Sequence, residues 1–425
     1  MIGELKISKT PLKSRRKLKN SLGRYPRRRP GLSTTIAKAL PRLSPCSPQG
    51  EAISKAPWGN RPGSLMKNAT GIPSIPDLPE EIVEDIFSRL PVNTLLRFKC
   101  LGKHWGTLFS TPRFISEHLN KFSSDPDANY VLFDTWGRTD LIPMRNLSRV
   151  INLNQPRDFY YNAVGSVNGL VCLTSNDFYK PICLWNPLIN QCMFLPLPNV
   201  KRPTLVSVGF GYEQNSDDYK VMRVINYCNG RQETKLELYS TKSGSWRRVK
   251  NDVYVKVKNA VYSTNCDAIV EGFTYWFITN ENGLKTALAS FDLRSEVFSI
   301  IPVPEVLATE SYSLRAMNSH GSLALLAHSS EDEFKKCLEV WVIEGGGGAE
   351  GVWQKKSTVN IGFDFSRHWG LTSGFTVVEK APNMLFLVDL RTEQSRKIGE
   401  IDIRRVFYYT ESLVSIEGFE PVPSQ

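Results

Sequence analysis

The sequence predicts a multidomain protein of α plus all-β class. A disordered basic N-terminal tail (1–72) precedes a small three-helix module (73–119) and a β-propeller-like repeat domain (125–418). Three observations predict this. Between residues 76 and 119 apolar residues recur at helical spacing. Beyond residue 125 they give way to short β-branched and aromatic runs separated by turns. One strand–turn–strand unit then returns roughly every 50 residues, the period of propeller blades.

Residues 1–72 hold 16 Lys/Arg against Glu4 and Glu51, a net +14, whereas the remainder of the chain carries −3. The overall charge of +11 is thus a property of the tail. A segment rich in Ser, Pro and basic residues, without apolar periodicity, buries too little surface to offset its chain entropy, which predicts disorder. Its two clusters, Lys13–Lys19 and Arg24–Arg29, suit a nuclear-import signal or a salt-sensitive phosphate-binding arm. The acid-poor composition also suits an organelle transit segment, and Met66 admits an upstream extension of the gene. These alternatives stay open. No apolar run approaches the roughly 18 residues of a membrane span. The eight cysteines form no Cys-x-x-Cys pair, and without a secretory signal reduced thiols in nucleus and/or cytoplasm are expected.

In the helical module, Asp77 and Glu80 form a capping arrangement with Pro79 in the first turn. Ile82, Ile86 and Leu90 recur four apart, widened by Val83 and Phe87, and Pro91 stops the pattern. Asn93 and Thr94 are candidate caps for a second helix carrying Leu95, Leu96, Phe98 and Leu101, which ends near Gly102. A third runs through Trp105, Leu108 and Phe109, and Thr111-Pro112 opens a short fourth turn. A unit this small cannot readily supply a core alone, so it completes one on a partner or on its own chain. Because the repeat domain can supply its own core, the helices are expected to be free to dock elsewhere.

Leu78-Pro79-Glu80-Glu81-Ile82-Val83, Ile86 to Val92, Leu95 to Cys100 and Lys103-His104-Trp105 resemble a plant F-box in order and spacing. The resemblance implies docking on a Skp-type adaptor, and through it on a cullin scaffold, in a Skp–cullin–F-box (SCF) ubiquitin ligase. By that resemblance Leu78, Pro79, Ile82, Leu90, Leu95, Leu96 and Trp105 are the adaptor-binding residues. Gly102 departs from the family, which more often has Ser or Cys there.

The repeat unit pairs an apolar strand with a second strand that often closes on Ile-Pro or Leu-Pro. It appears at Leu132–Asp134 with Leu141–Pro143, Leu184–Pro187 with Phe194–Pro196, and Leu238–Ser240 with Trp246–Val249. Three more follow, at Phe291–Leu293 with Ile300–Pro302, Trp341–Ile343 with Val352–Trp353, and Val388–Leu390 with Arg396–Ile398. Intervening runs such as Gly169–Leu173, Val206–Phe210 and Gly272–Phe277 bring each unit to a four-stranded blade. Leu413–Ile416 is expected to pair with an early strand and close the ring. An irregular two-sheet sandwich is the alternative architecture.

Gly165 to Cys172, Leu184-Trp185-Asn186-Pro187, Val208 to Tyr212, Asp218 to Val221 and Tyr409 to Leu413 resemble the plant F-box-associated domain. The resemblance implies a domain that recruits a protein substrate. Read physically, most of these residues are structural: Asn168-Gly169 suits a tight turn, and Trp185 and Trp276 pack between blades.

No catalytic constellation assembles. The five histidines are scattered, and neither a nucleophile elbow nor a phosphate-binding loop occurs. Gly345 to Gly348 reads as a flexible hairpin loop. The expected protein is therefore a non-catalytic substrate receptor, without cofactor, metal or membrane, whose target and target-binding residues are unassigned. The rival class is a nuclear nucleic-acid-binding protein using the tail. A propeller glycosidase with paired carboxylates ranks below it.

Overall fold

The computed structural model describes residues 79–422, apart from breaks at 126–127, 136–137, 154, 157–160, 176, 178, 198–204, 230, 250–264, 332–335, 346–350 and 372–373. The basic tail with both its clusters, Asp77, Leu78 and most of the four-glycine loop lie outside the described residues.

Among the described residues four helices come first: α1 (Glu80–Phe87), α2 (Val92–Lys99), α3 (Lys103–Leu108) and α4 (Pro112–Ser123). The fourth element, expected as a short turn, is the longest helix. Thr111 caps it by accepting from the Phe114 N–H at 3.3 Å, and Pro112 occupies the first helical position, where no N–H is needed. Asn93 and Thr94 do not cap α2 but lie inside it. Pro91, held extended at ψ 147°, is the N-cap residue and starts the helix at Val92, two residues before a cap at Asn93 would allow.

Six antiparallel sheets follow among the described residues. Strands β1 (Tyr130–Thr135), β2 (Thr139–Pro143) and β3 (Ile151–Leu153) belong to blade 1. Blade 2 holds β4 (Asn162–Val167), β5 (Leu170–Thr174), β6 (Cys183–Asn186) and β7 (Gln191–Phe194). Blade 3 holds β8 (Leu205–Glu213), β9 (Asp218–Asn229), β10 (Arg231–Ser240) and β11 (Ser245–Arg248). Blade 4 holds β12 (Ala268–Val270), β13 (Phe273–Thr279), β14 (Lys285–Asp292) and β15 (Phe298–Pro302). Blade 5 holds β16 (Tyr312–Ser319), β17 (Ser322–Ser329), β18 (Cys337–Glu344) and β19 (Val352–Asn360). Blade 6 holds β20 (Arg367–Gly370), β21 (Phe375–Ala381), β22 (Met384–Asp389) and β23 (Ser395–Glu400).

The last long strand, β24 (Ile403–Tyr409), returns to blade 1 and pairs antiparallel with β1, Tyr409 opposite Tyr130. It is the innermost strand of that blade. The ring is thus closed ten residues before the segment expected to close it. Residues 413–416 pair with no strand; the Asn186 amide holds this stretch, Nδ2 donating to Ser412 O at 2.9 Å and to Val414 O at 3.0 Å. A final short strand, β25 (Glu420–Pro421), adds to the outer edge of blade 2.

All six hairpins read from the sequence are present. In blades 2 to 6 they are the outer pair of strands. In blade 1 the Leu132/Leu141 hairpin is the middle pair, because the chain's end supplies the inner strand. The recurrent Pro has a visible use. Trp246 Nε1 on β11 donates to Pro196 O of the preceding blade at 2.7 Å, and Trp353 Nε1 on β19 does the same to Pro302 O at 2.8 Å.

The apolar cores lie between blades. One cluster joins blades 2, 3 and 4, and others join 4 to 5, 5 to 6 and 6 to 1. Trp276 is fully buried, as expected of a residue packed between blades, and its Nε1 donates to Ser207 Oγ on the neighbouring blade at 2.9 Å. Gly209 faces that ring, and a Cβ there would come within 2.7 Å of it. Asn168 (φ 52°) and Gly169 (φ 79°) form the two-residue β4–β5 turn that the Asn-Gly pair predicts. Cys183 and Cys192 are buried strand residues, acting as small hydrophobes.

Candidate functional site

Four helices of 8, 8, 6 and 12 residues are each too short to be stable alone, and their packing shows what holds them. Phe87 is the hub. Its ring lies 5.0 Å from Phe98, 4.8 Å from Trp105 and 5.3 Å from Phe109, so α1, α2 and α3 share one aromatic centre. Phe109 continues this to Phe114 on α4 at 5.1 Å. His118 on α4 contacts Leu90 O through Nε2 at 3.0 Å, and burial lowers its pKa. On the outer side Lys121 Nζ reaches Asp85 at 2.7 Å and Glu117 at 2.9 Å. Hydrogen bonds from Arg89 and Lys121 hold Asp85 down to about 2.

The helices are not independent of the propeller. Phe87, Val92, Leu95, Phe109 and Phe114 belong to one buried cluster with Leu132, Tyr161, Leu173, Trp185, Tyr409 and Leu413 of blades 1 and 2 and the closing segment. The expectation that the helices are free of the repeat domain is therefore corrected. Their inner face completes its core on their own chain, because helices this short cannot bury all of their apolar residues among themselves. Asn129, in the link to β1, donates through Nδ2 to Phe122 O at 2.7 Å and to Tyr408 Oη at 2.8 Å.

The seat itself is built from sequence motifs that lie far apart in the chain. Asn186 of the Leu-Trp-Asn-Pro run accepts from Tyr409 Oη and from Leu188 N, each at 3.2 Å, while donating to the 412–414 backbone. Gly169 packs so closely on Ser412 that a Cβ there would lie 2.3 Å from its side chain. Glu411 Oε2 accepts from the Val92 N–H at 3.2 Å. Pro91 offers α2 no side-chain cap, so the carboxylate of Glu411 supplies one from the propeller. Burial raises Glu411 to about 7, partly opposed by that hydrogen bond.

Other apolar side chains of the helices stay open to solvent. Ile82 and Ile86, one turn apart on α1, are 48% and 46% exposed, and Leu101 at the α2–α3 junction is 75% exposed. Of the residues named for adaptor binding, Pro79 and Ile82 are exposed, and Leu90, Leu96 and Trp105 are half-buried. Leu95 is fully buried in the shared cluster, so its side chain faces this chain and not a partner. Leu78 lies outside the described residues. Ile86 and Leu101 are further exposed apolar residues of the helical module. Ile86 was legible as the next step of the Ile82 spacing, whereas nothing periodic marks Leu101. At Gly102 a Cβ would meet only Trp105 Cδ1 at 3.8 Å, so this departure from the family costs no contact.

The ring encloses a central cavity of about 340 Å³, whose described lining carries one carboxylate, Asp267. The facing pair that glycoside hydrolysis uses is not found among those lining residues. No cluster of potential metal ligands occurs among the described residues.

The described residues form a small helical module mounted on a six-bladed propeller. Family comparison agrees. Residues 75–117 match the F-box domain, and residues 136–416 match the F-box associated beta propeller domain. The chain belongs to the plant F-box proteins with a C-terminal F-box-associated propeller, the general class of SCF substrate receptors. It is 26% identical over 321 residues to an F-box/kelch-repeat protein of Arabidopsis thaliana, covering 71% of this chain and 85% of that one. F-box protein CPR1 of the same plant is 27% identical, over 56% of this chain and 63% of its own. Protein SUPPRESSOR OF NIM1 1, also from Arabidopsis, is 27% identical, over 67% and 80%. Among solved structures, an oligogalacturonate lyase from Vibrio parahaemolyticus aligns with a TM-score of 0.36 and 7% identity, over 65% of this chain and 80% of that one. That likeness carries no argument about activity.

Proposed function

We propose that this chain is a non-catalytic receptor that docks a Skp-type adaptor, and through it a cullin, by the open face of its helices, and recruits a protein target through its propeller. The observation that supports this best is the division of the helical module. Phe87, Val92, Leu95, Phe109 and Phe114 are sealed onto blades 1 and 2, while Ile82, Ile86 and Leu101 remain exposed. Exposed aliphatic side chains on rigidly held helices suit a partner groove, since little ordering entropy remains to be lost on binding. Holding target and charged ubiquitin-transfer machinery together raises their effective concentration without bond-making by the receptor itself. Work in the nucleus and/or cytoplasm belongs to the same proposal.

The test is capture of a purified Skp-type adaptor by the intact chain and by an Ile82→Asp/Ile86→Asp variant. Capture by the intact chain and its loss in the variant, with an unchanged melting temperature, is the expected result. Failure of the intact chain to capture any such adaptor overturns the assignment.

A further inference from the structure

The central cavity gathers more positive charge than the fold neutralises. Its lining comes from the inner strands of blades 1, 2, 4, 5 and 6 and from residues 265–267 leading into blade 4. The charged lining residues are Arg315 on β16, Arg404 and Arg405 on β24, and the single carboxylate Asp267. Arg404 is committed, donating through Nη2 to Asp134 at 3.1 Å and to Tyr161 O at 3.3 Å.

Arg315 and Arg405 differ in kind. Arg315 donates to His368 O at 3.1 Å and to Leu314 O at 3.3 Å. Arg405 donates to Cys266 O at 2.6 Å and to Ala163 O at 3.3 Å. These contacts are to neutral carbonyls. They aim both guanidinium groups at the cavity without cancelling their charge, and among the described residues the hydrogen bonds of neither include a carboxylate. A third cation stands beside them: Lys285 Nζ donates to the same Leu314 carbonyl at 2.7 Å. Burial first, and then Arg315, push Lys285 down to about 8, while burial, Arg405 and Arg367 together lower Arg315 against the pull of Asp267. The cations destabilise one another, and Asp267 is the one carboxylate of the lining set against them.

We propose that the central cavity binds a phosphate-class anion, gripped by Arg315 and Arg405 from the inner strands of two different blades. Guanidinium groups offer planar, paired donors, and a tetrahedral oxyanion has enough acceptor sites to engage two of them at once. The cavity volume lies at the small end of the range of ligand pockets, room for a phosphorylated group and little more. Two sources carry that chemistry: a free phosphorylated small molecule, or a phosphorylated side chain presented by a bound protein. The proposal does not depend on adaptor docking and is read in a separate assay.

The experiment is calorimetric titration of the full chain with inorganic pyrophosphate, at low and at raised salt. Saturable binding that weakens with salt is expected, and Arg405→Gln or Arg315→Gln should weaken it about tenfold or more. Asp267→Asn should tighten it several-fold, a gain that misfolding cannot imitate. Lys397→Gln, on the outer strand of blade 6, should leave it unchanged. A phosphoserine peptide beside its unphosphorylated twin separates the two sources. Tighter binding of the phosphopeptide points to a protein ligand, and tighter binding of the free anion points to a small molecule. Absence of saturable pyrophosphate binding, or unaltered binding in both Arg405→Gln and Asp267→Asn, overturns the proposal.

Discussion

The backbone N–H of Val92 donates to the carboxylate of Glu411 at 3.2 Å, so a helix of the F-box takes its N-terminal cap from a residue 319 positions further along the chain. Glu411 and its neighbours Tyr409, Ser412 and Leu413 are signature residues of the propeller domain, yet they serve the helices. Their contact fixes how the open face of α1 is directed relative to the blades.

Glu411 should make stability fall with pH. Burial raises its carboxyl to about 7, above the ordinary 4.5. Below the lower value both folded and unfolded chains hold the proton. Between the two, only the unfolded chain releases it, so stability declines across that window and then levels off. Glu411→Gln retains an acceptor for Val92 and removes the titration. Urea unfolding should show the wild type losing about 2–3 kcal/mol relative to the variant between about pH 5 and pH 8. Parallel pH profiles for the two proteins would refute the assignment.

Leu95 and Ile82 should respond oppositely. Leu95→Ala opens a hole in the fully buried cluster shared by helices and blades, and should cost about 2–5 kcal/mol in chemical denaturation. Ile82→Asp, on the open face, should change stability by less than about 0.5 kcal/mol while reducing adaptor capture. A stability loss at Ile82 equal to that at Leu95 would contradict the two-faced module.

Gly209 should tolerate no side chain. A Cβ would sit 2.7 Å from the indole of Trp276, which is itself fixed by Ser207. Gly209→Val should cost at least about 1–3 kcal/mol and lower the melting temperature. A variant as stable as wild type would mean that the Trp276 ring moves freely.

Trp353→Phe should loosen the seam between blades 4 and 5. It removes the hydrogen bond to Pro302 O while keeping an aromatic ring. The expected cost is about 0.5–1.5 kcal/mol, with faster amide exchange in β15 and β19. Unchanged exchange in both strands would show the contact to be idle.

Much of the architecture was legible because it repeats. Strand alternation located all six hairpins, with Leu-Pro or Ile-Pro endings marking three of them, and Asn168-Gly169 announced its turn. What stayed hidden was long-range. No local pattern tells that β24 belongs to blade 1, or that Asn186 will claim the carbonyls of Ser412 and Val414. The docking face was half legible for the same reason. Helical spacing gathers Ile82, Ile86, Leu95 and Leu96 as apolar, but which of them turns inward depends on blades encoded later. The cationic cavity was invisible, since Arg315 and Arg405 meet only when the ring is shut.

That shutting has an order in time. The helices and the first three strands of blade 1 leave the ribosome first, and β24 follows only after five further blades have been made. Until it arrives, β1 presents a bare hydrogen-bonding edge, and the helices lack Tyr409, Glu411 and Leu413 from their seat. A polypeptide released early would carry the F-box segment without its mount. The closing strand therefore works as a completion check: only a fully synthesised chain can aim what it carries.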